Sequence, residues 1–309
     1  MIRSAYLGHE GFEQPLLAEL EHKGVAIASW HGSLALSPDE PEAAAWALEV
    51  WTAPAEHAVT SVKGAADVLR GIQRNWSAYG VAHHRRTALI ADRLPPVKAR
   101  PLRFPEPAPQ SHLGAWTLLA PDRMLASPKK TSPFPNGECR FEEDRAGPPS
   151  RAYLKLWEAL TRLGAWPQPG ETCIDLGASP GGWTWVLAQL GARVTAVDKA
   201  PLDPEIAAMS GVSTLQESAF GLEPSPVDWL VCDVIAYPAR LLGLVQRWIA
   251  AGAPKRIVCT VKFQGETDFD AQDAFAAIPG GRLMHLFHNT HVLTFAWSRQ
   301  TLSPREWAG

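Results

Sequence analysis

Two charged side chains and one glycine stand where apolar, strand-like runs stop: Asp233 closes DWLVCD, Lys262 closes RIVCTVK, and Gly177 closes CIDLG. In an open α/β sheet, ligands collect outside the carboxyl ends of the strands, so these three termini are expected to open on one crevice. There an amine held by a carboxylate can take a proton from a bound hydroxyl, provided burial or nearby positive charge lowers the amine from its usual value of about 10.4. A lone lysine at a strand end has a plainer use, escape from the core. The convergence of three termini argues for chemistry.

The run DLGASPGGW, Asp175 to Trp183, forms another wall of that crevice. Thr172, Cys173, Ile174 and Leu176 suit a short buried strand, and Thr184 to Leu190 carries helical spacing that Gly191 ends. Between them Gly177, Gly181 and Gly182 let the backbone bend sharply and come close to a ligand. Ala178, Ser179, Pro180 and Trp183 belong to the same expected contact surface. The next apolar run, ARVTAV, ends at Asp198, where a carboxylate can accept hydrogen bonds from two ribose hydroxyls. That pairing points to an adenosine-containing cofactor. A dinucleotide is disfavoured, because its fingerprint is GxGxxG and this loop reads GASPGG behind an acid. The plainer alternative is a glycine-rich turn of purely structural purpose, and Asp198 argues against it.

The order acid, x, Gly, x, x, Pro, Gly, Gly resembles the loop of FtsJ-like 2'-O-ribose methyltransferases, and SRAYLKL (150–156), LVCD (230–233) and VKFQG (261–265) look like further motifs of that family. GFEQPLLAEL (11–20), SPFPNG (132–137) and PPSRAYLKL (148–156) resemble its members that act on large-subunit ribosomal RNA. The resemblance implies a Rossmann-like α/β domain using S-adenosyl-L-methionine (SAM) and no metal. The implied partner is RNA, 23S rRNA or a large-subunit precursor particle, methylated on a cytidine ribose. Asp175 is then expected near the methionine ammonium and Asp198 on the ribose. Ser218, in QESAF, falls at an adenine-proximal position that is often acidic in the family. Lys155, Asp233 and Lys262 match three members of the family's Lys-Asp-Lys-Glu tetrad: Lys262 as general base, Asp233 orienting it beside the cofactor, and Lys155 supplying positive charge. A THUMP-like RNA-binding module ahead of the catalytic domain is implied as well, with sparse matches between residues 25 and 110.

The fourth tetrad position departs from the pattern. In HLFHNTHVLTF, His291 aligns where the family has Glu, which removes a carboxylate from beside the base; Glu266 or Asp268 are alternative sources of one. His285, His288 and His291 also invite a metal reading, but on a strand residues three apart face opposite sides, so no metal is expected. The four cysteines form no CxxC pair and read as small buried side chains.

With 309 residues, 46% hydrophobic and 20% charged, the chain has an ordinary globular composition and length enough for two domains. No apolar run reaches the roughly 18 residues of a membrane span, and MIRSAYLGHEGFEQ lacks the apolar centre of a signal peptide, so a cytoplasmic location is expected. A net charge of -3 is awkward for an enzyme of RNA, so phosphate contact has to be local. Residues 83–103 supply a local excess, with His83, His84, Arg85, Arg86, Arg93, Lys98, Arg100 and Arg103 against Asp92. That stretch reads equally as a phosphate track or as a solvated surface arm.

The expected architecture is an α/β catalytic domain over 145–309 behind a smaller α/β module over 1–140, with a connector near 95–109 where Pro95, Pro96, Pro101, Pro105, Pro107 and Pro109 exclude regular structure. In the first module the pattern predicts strands at Ala5–Leu7, around the His31-Gly32 turn, at Trp116–Leu119 and at Arg123–Ala126. Helices are predicted at Phe12–His22, Pro41–Trp51 and Ala65–Tyr79. Ser150 is expected to cap a helix that buries Tyr153, Leu156, Trp157, Leu160 and Leu163 and turns Arg151, Lys155, Glu158 and Arg162 outward. Strand-like runs at 172–177, 192–198, 212–215, 227–233, 255–262, 282–288 and 291–298 predict a mainly parallel sheet covered on both faces. Two other readings stay open from sequence: a methyltransferase of a small molecule or protein, and a catalytically silent RNA-binding homologue.

Overall fold

Two units account for residues 1–97 and 99–300, which the computed structural model describes; Lys98 and residues 301–309 lie outside the described residues. Of the described residues, unit 1 takes in those of Met1–Pro101 and Ala108–Arg140, and unit 2 Leu102–Pro107 together with Phe141–Gln300.

Unit 1 runs β1 (Ser4–Gly8), α1 (Glu13–His22), β2 (Ser29–His31), β3 (Leu34–Ser37), β4 (Ala47–Trp51), β5 (Ala55–Ala58), α2 (Val62–Ile72), β6 (Trp76–Ala78), α3 (His84–Ala91), β7 (Gly114–Ala120) and β8 (Arg123–Ser127). Its strands make two four-stranded sheets, β2-β3-β1-β4 and β5-β8-β7-β6. All pairings are antiparallel except β6 with β7.

Two expectations fail in this unit. Pro41–Trp51 is loop and then strand β4. The buried Glu19 carboxylate takes the N–H groups of Ala45 and Trp46 at 2.8 Å each, and β4 pairs with β1, so tertiary pairing outweighs an alanine-rich helical propensity. The helix expected over Ala65–Tyr79 begins behind Ser61, whose hydroxyl accepts the Gly64 N–H, and stops at Ile72. Trp76 Nε1 donates to the carbonyls of Leu69 and Gln73 at 3.0 Å, and β6 pairs with β7. The basic stretch contains helix α3, which buries Thr87 and Ile90, and leaves His83, His84, Arg85 and Arg93 exposed. The described residues of 95–109 hold neither helix nor strand apart from a bridge between Leu102 and Phe141.

Unit 2 runs α4 (Tyr153–Leu163), β9 (Thr172–Leu176), α5 (Gly182–Gln189), β10 (Arg193–Val197), α6 (Pro204–Ala207), β11 (Val212–Leu215), β12 (Val227–Cys232), α7 (Pro238–Ala250), β13 (Pro254–Lys262), α8 (Phe269–Ala276), β14 (Gly281–Met284) and β15 (Val292–Ser298). One seven-stranded sheet results, ordered β11-β10-β9-β12-β13-β15-β14. Its pairings are parallel except those of β15, which is antiparallel to both β13 and β14. From β9 the chain winds outward through β10 and β11, then crosses back to β12 and β13 on the other side. The switch point therefore lies between β9 and β12. Right-handed crossovers put the helices of the two excursions on opposite faces: α4 packs on α5, and α7 on α8. With both faces covered, the central part of β12, Trp229–Cys232, reads as an unbroken apolar run. This is the Rossmann-like α/β architecture that the sequence pattern predicts.

Departures are local. The helix α4 starts behind Ala152 with no side-chain cap, so Ser150 does not cap it, and Gly164 in the left-handed region closes it. Its polar side is only partly solvated: Arg151, just before it, is exposed, while Glu158 is fully buried and Arg162 nearly so. The strand expected over 282–288 stops at Met284, and residues 285–291 form turns that cover that side of α4. All four cysteines are buried and none is in a disulfide. Among the described residues no helix is long and apolar enough to cross a membrane.

Candidate active site

Asp233 leaves the sheet at the switch point, its N–H bonded to the Leu176 carbonyl at 3.0 Å. The neighbouring strand β13 brings Lys262 to it: Lys262 Nζ lies 2.8 Å from Asp233 Oδ1 and donates to the Asp233 carbonyl at 2.6 Å. From α4, Lys155 Nζ reaches Asp233 Oδ2 at 3.3 Å. Thr260, two residues before Lys262 and so on the same strand face, donates its hydroxyl to Asp233 Oδ1. Side-chain exposures of 18% for Lys155, 17% for Asp233 and 21% for Lys262 leave the group shielded but reachable. Burial alone would push the Asp233 carboxyl up. The ammonium groups of Lys155 and Lys262, with the bonds from Lys262 and Thr260, more than offset that and hold it below the usual carboxylate range. One anion thus organises two amines.

Beside this group opens a cleft of about 470 Å³, within the common range of small-ligand sites. Gly177, Ser179, Pro180 and Asp198 line one side, Glu217, Ser218 and Phe220 another, and Asp233, Ile235, Arg240 and Lys262 the rest. Asp198 Oδ2 accepts the Ser179 N–H at 3.1 Å and Oδ1 the Ala200 N–H at 2.9 Å, which leaves each oxygen capacity for a further donor such as a hydroxyl. The Phe220 ring, with the Arg240 guanidinium 3.9 Å from its centroid, offers a flat apolar wall for a purine. The lining carries three carboxylates, Asp198, Glu217 and Asp233, balanced by Lys199, Arg240 and Lys262, so it offers acceptors for the hydroxyls and ammonium of a cofactor and donors for its carboxylate. The residues present fit SAM.

Of the cofactor contacts expected from sequence, Gly177, Ser179, Pro180, Asp198, Ser218 and Asp233 border the cleft, and Asp175, Ala178, Gly181, Gly182 and Trp183 do not. Asp175 is fully buried under the loop, where it accepts the Thr184 hydroxyl at 2.7 Å. Desolvation, which outweighs the Thr184 bond, and then the nearby Asp233 and Asp198 charges push its carboxyl up to about 7. Trp183 turns inward and donates to the Ala152 carbonyl at 2.9 Å. The glycines answer to protein packing more than to a ligand. At Gly177, φ is +76° and a Cβ would stand 2.7 Å from Val234 Cγ1. At Gly181, φ is +121° and a Cβ would meet Ile206 at 2.8 Å.

His291 stands just before β15, whose first residue, Val292, pairs with Lys262. Its Nε2 lies 3.0 Å from the Gly265 carbonyl, and it does not line the cleft. Asp268 is engaged as the cap of α8, accepting the Ala271 N–H. His288 pairs with Glu158, and His285 Nε2 with the Thr290 carbonyl. No metal-type cluster of three His, Cys, Asp or Glu residues occurs among the described residues. Sequence reading missed Thr260, although its period-two relation to Lys262 was a usable signal. It also missed Glu217, which puts an acid one position before Ser218 on the cleft wall.

Residues 148–286 match the family model described as FtsJ-like methyltransferase. Among curated relatives named ribosomal RNA large subunit methyltransferase M, that of Alkalilimnicola ehrlichii is 38% identical over 205 residues, 62% of this chain and 57% of that protein. That of Methylococcus capsulatus is 40% identical over 160 residues, 50% of this chain and 45% of its own. That of Halorhodospira halophila is 46% identical over 120 residues, 38% and 35% of the two chains. The matched regions span about half the length of these relatives, or less. With the sheet order, the glycine loop at the switch point and the family match in agreement, residues 148–286 of this chain are an FtsJ-like methyltransferase domain.

Proposed function

We propose that this protein is a cytoplasmic, SAM-dependent RNA 2'-O-methyltransferase whose substrate is 23S rRNA, free or in a large-subunit precursor particle, with a cytidine ribose as acceptor. The observation that carries the reading is the Lys155–Asp233–Lys262 group beside the glycine-loop cleft. When bound there, SAM supplies an activated methyl group. Asp198 holds the ribose of the cofactor, Gly177, Ser179 and Pro180 its methionine side, and Ser218, Glu217 and Phe220 its adenine.

A ribose hydroxyl is a weak nucleophile and has to lose its proton as the new bond to carbon forms. Lys262 Nζ, once it has released one of its own protons to solvent and carries a lone pair, is the acceptor of that proton. Asp233, 2.8 Å away, fixes the direction of the amine and stabilises it once it is protonated. Lys155, on the other carboxylate oxygen, adds positive charge where the hydroxyl oxygen gains negative charge. Unit 1, with the basic segment around α3, is the THUMP-like module that draws in RNA phosphates and supplies locally what a net charge of -3 lacks.

Transfer of a radiolabelled methyl group from SAM to unmodified large-subunit rRNA, followed by mapping of the 2'-O-methyl position, tests the proposal. A single labelled ribose supports it. Labelling of a small molecule or protein, with none in rRNA, overturns it.

A further inference from the structure

The loop between β12 and α7 exposes side chains that a soluble surface normally hides. Ile235 is 83% and Tyr237 65% exposed, and among the described residues these are the exposed large apolar side chains of unit 2. The exposure is built in. Ala236 and Pro238 are buried between and beyond them, so an extended stretch turns alternate residues outward. Val234, at the foot of the loop, packs against Gly177.

The position of the pair says what covers it. Ile235 lines the cleft itself, two residues from Asp233. Tyr237, four residues from Asp233, lies within about 14 Å of it along an extended chain. A nucleotide whose ribose meets the Lys155–Asp233–Lys262 group carries its own base, and the neighbouring one, across that span. Unpaired bases are recognised by stacking on aromatic faces, whatever their sequence. Arg240, one turn beyond Tyr237 on α7, adds positive charge to the same rim.

We propose that Ile235 and Tyr237 form the platform that receives a base of the acceptor strand, Tyr237 stacking on it and Ile235 packing its edge, so that the target ribose is held at Lys262. The proposal rests on the reading of the protein as an RNA 2'-O-methyltransferase. It makes Tyr237 a positioning residue, not a catalytic one.

The test compares wild type, Tyr237→Phe, Tyr237→Ala and Ile235→Ser in methyl transfer to large-subunit rRNA. Cofactor affinity and melting temperature are followed in parallel. A second readout is the fluorescence of 2-aminopurine placed at or beside the target in an RNA fragment. Tyr237→Ala is expected to raise KM for RNA roughly tenfold or more and to abolish the quenching of 2-aminopurine, with kcat, SAM affinity and melting temperature little changed. Tyr237→Phe is expected to stay within about twofold of wild type on both readouts. Unaltered KM and quenching in Tyr237→Ala, with wild type active, overturns the platform alone, as does a Tyr237→Phe as impaired as Tyr237→Ala. A wild type that binds SAM and methylates no RNA overturns the functional reading, and the platform with it.

Discussion

Glu158 Oε2 lies 2.8 Å from His288 Nδ1, and the Glu158 carboxylate also accepts the N–H groups of Phe287 and His288 at 3.0 Å each. Arg162, one turn further along α4, holds it from within the helix at 2.8 Å. Lys155 stands one turn before Glu158, so the turns between β14 and β15 are tied to the helix that carries a proposed catalytic amine. Burial would push the Glu158 carboxyl up, and the Arg162 charge, His288 and the Phe287 N–H together hold it below its ordinary value instead.

Glu158→Ala removes the carboxylate these groups share and breaks the buried ion pair with Arg162. The expected loss of stability is about 3–5 kcal/mol, measured by urea unfolding at neutral pH. Because the folded-state value is depressed, the stabilisation is present above the unfolded value near about 4.5 and is lost as pH falls through the folded one. Wild type and variant are therefore expected to draw together in acid. A loss under about 1 kcal/mol at neutral pH contradicts this account of the helix anchor.

The proposed chemistry separates by residue. Lys262→Met is expected to lower kcat by about 100-fold to 10,000-fold, the usual worth of a general base, with SAM affinity within about threefold of wild type. Lys155→Met should cost less, since it removes charge and not the proton acceptor. Asp233 is held below the ordinary carboxylate range and stays ionised in mildly acidic solution, so a fall in rate from pH 8 to pH 6 cannot come from its protonation. A pH–rate profile for the wild type and rapid-quench rates for both lysine variants check these points. Full activity of Lys262→Met removes it as the base.

How much was legible from residues alone follows from which signals are local. Strand ends are local, and Asp233, Lys262 and Gly177, read as strand termini, do meet at one switch point. The cover on a helix face is not local. Glu158 and Arg162 read as solvent-facing from their spacing on α4, and only residues 285–288, far along the chain, show otherwise. The same limit undid the helix expected over Pro41–Trp51, where Glu19 and β1 claim the backbone groups. Within the glycine loop the sequence locates the bend but not which side chains line its outer surface. Asp175 and Trp183 therefore look like cofactor contacts until their inward partners, Thr184 and Ala152, are seen.

Asp198 has two duties, and they predict a compound phenotype. It clasps the glycine loop through the Ser179 N–H and faces the cleft with acceptor capacity to spare. Asp198→Ala removes the proposed bonds to the cofactor ribose and loosens the loop together. Hydrogen bonds to a charged group are worth about 1.5–3 kcal/mol, so calorimetric titration with SAM is expected to show at least tenfold weaker binding. Asp198→Asn keeps an acceptor for Ser179 and should lie between the two. Equal SAM affinity in all three proteins excludes Asp198 from the cofactor site.

Asp175 sets a pH dependence of stability with the opposite sign to that of Glu158. Its carboxyl is fully buried, bonded to Thr184 and raised to about 7. A folded-state value above the unfolded 3.8 means that the favourable contribution is fully present below that unfolded value and is lost as pH rises through about 7. Each unit between the two values is worth about 1.4 kcal/mol, so the wild type is expected to lose a few kcal/mol between pH 4 and pH 8 through this one group. Asn at this position keeps an acceptor for the Thr184 hydroxyl and has no charge to bury. Asp175→Asn should therefore match the wild type near pH 4 and exceed it in stability at pH 8, with urea unfolding at both pH values as the measurement. Parallel pH profiles for the two proteins, with no gain at pH 8, contradict a carboxyl that resists ionisation beneath the glycine loop.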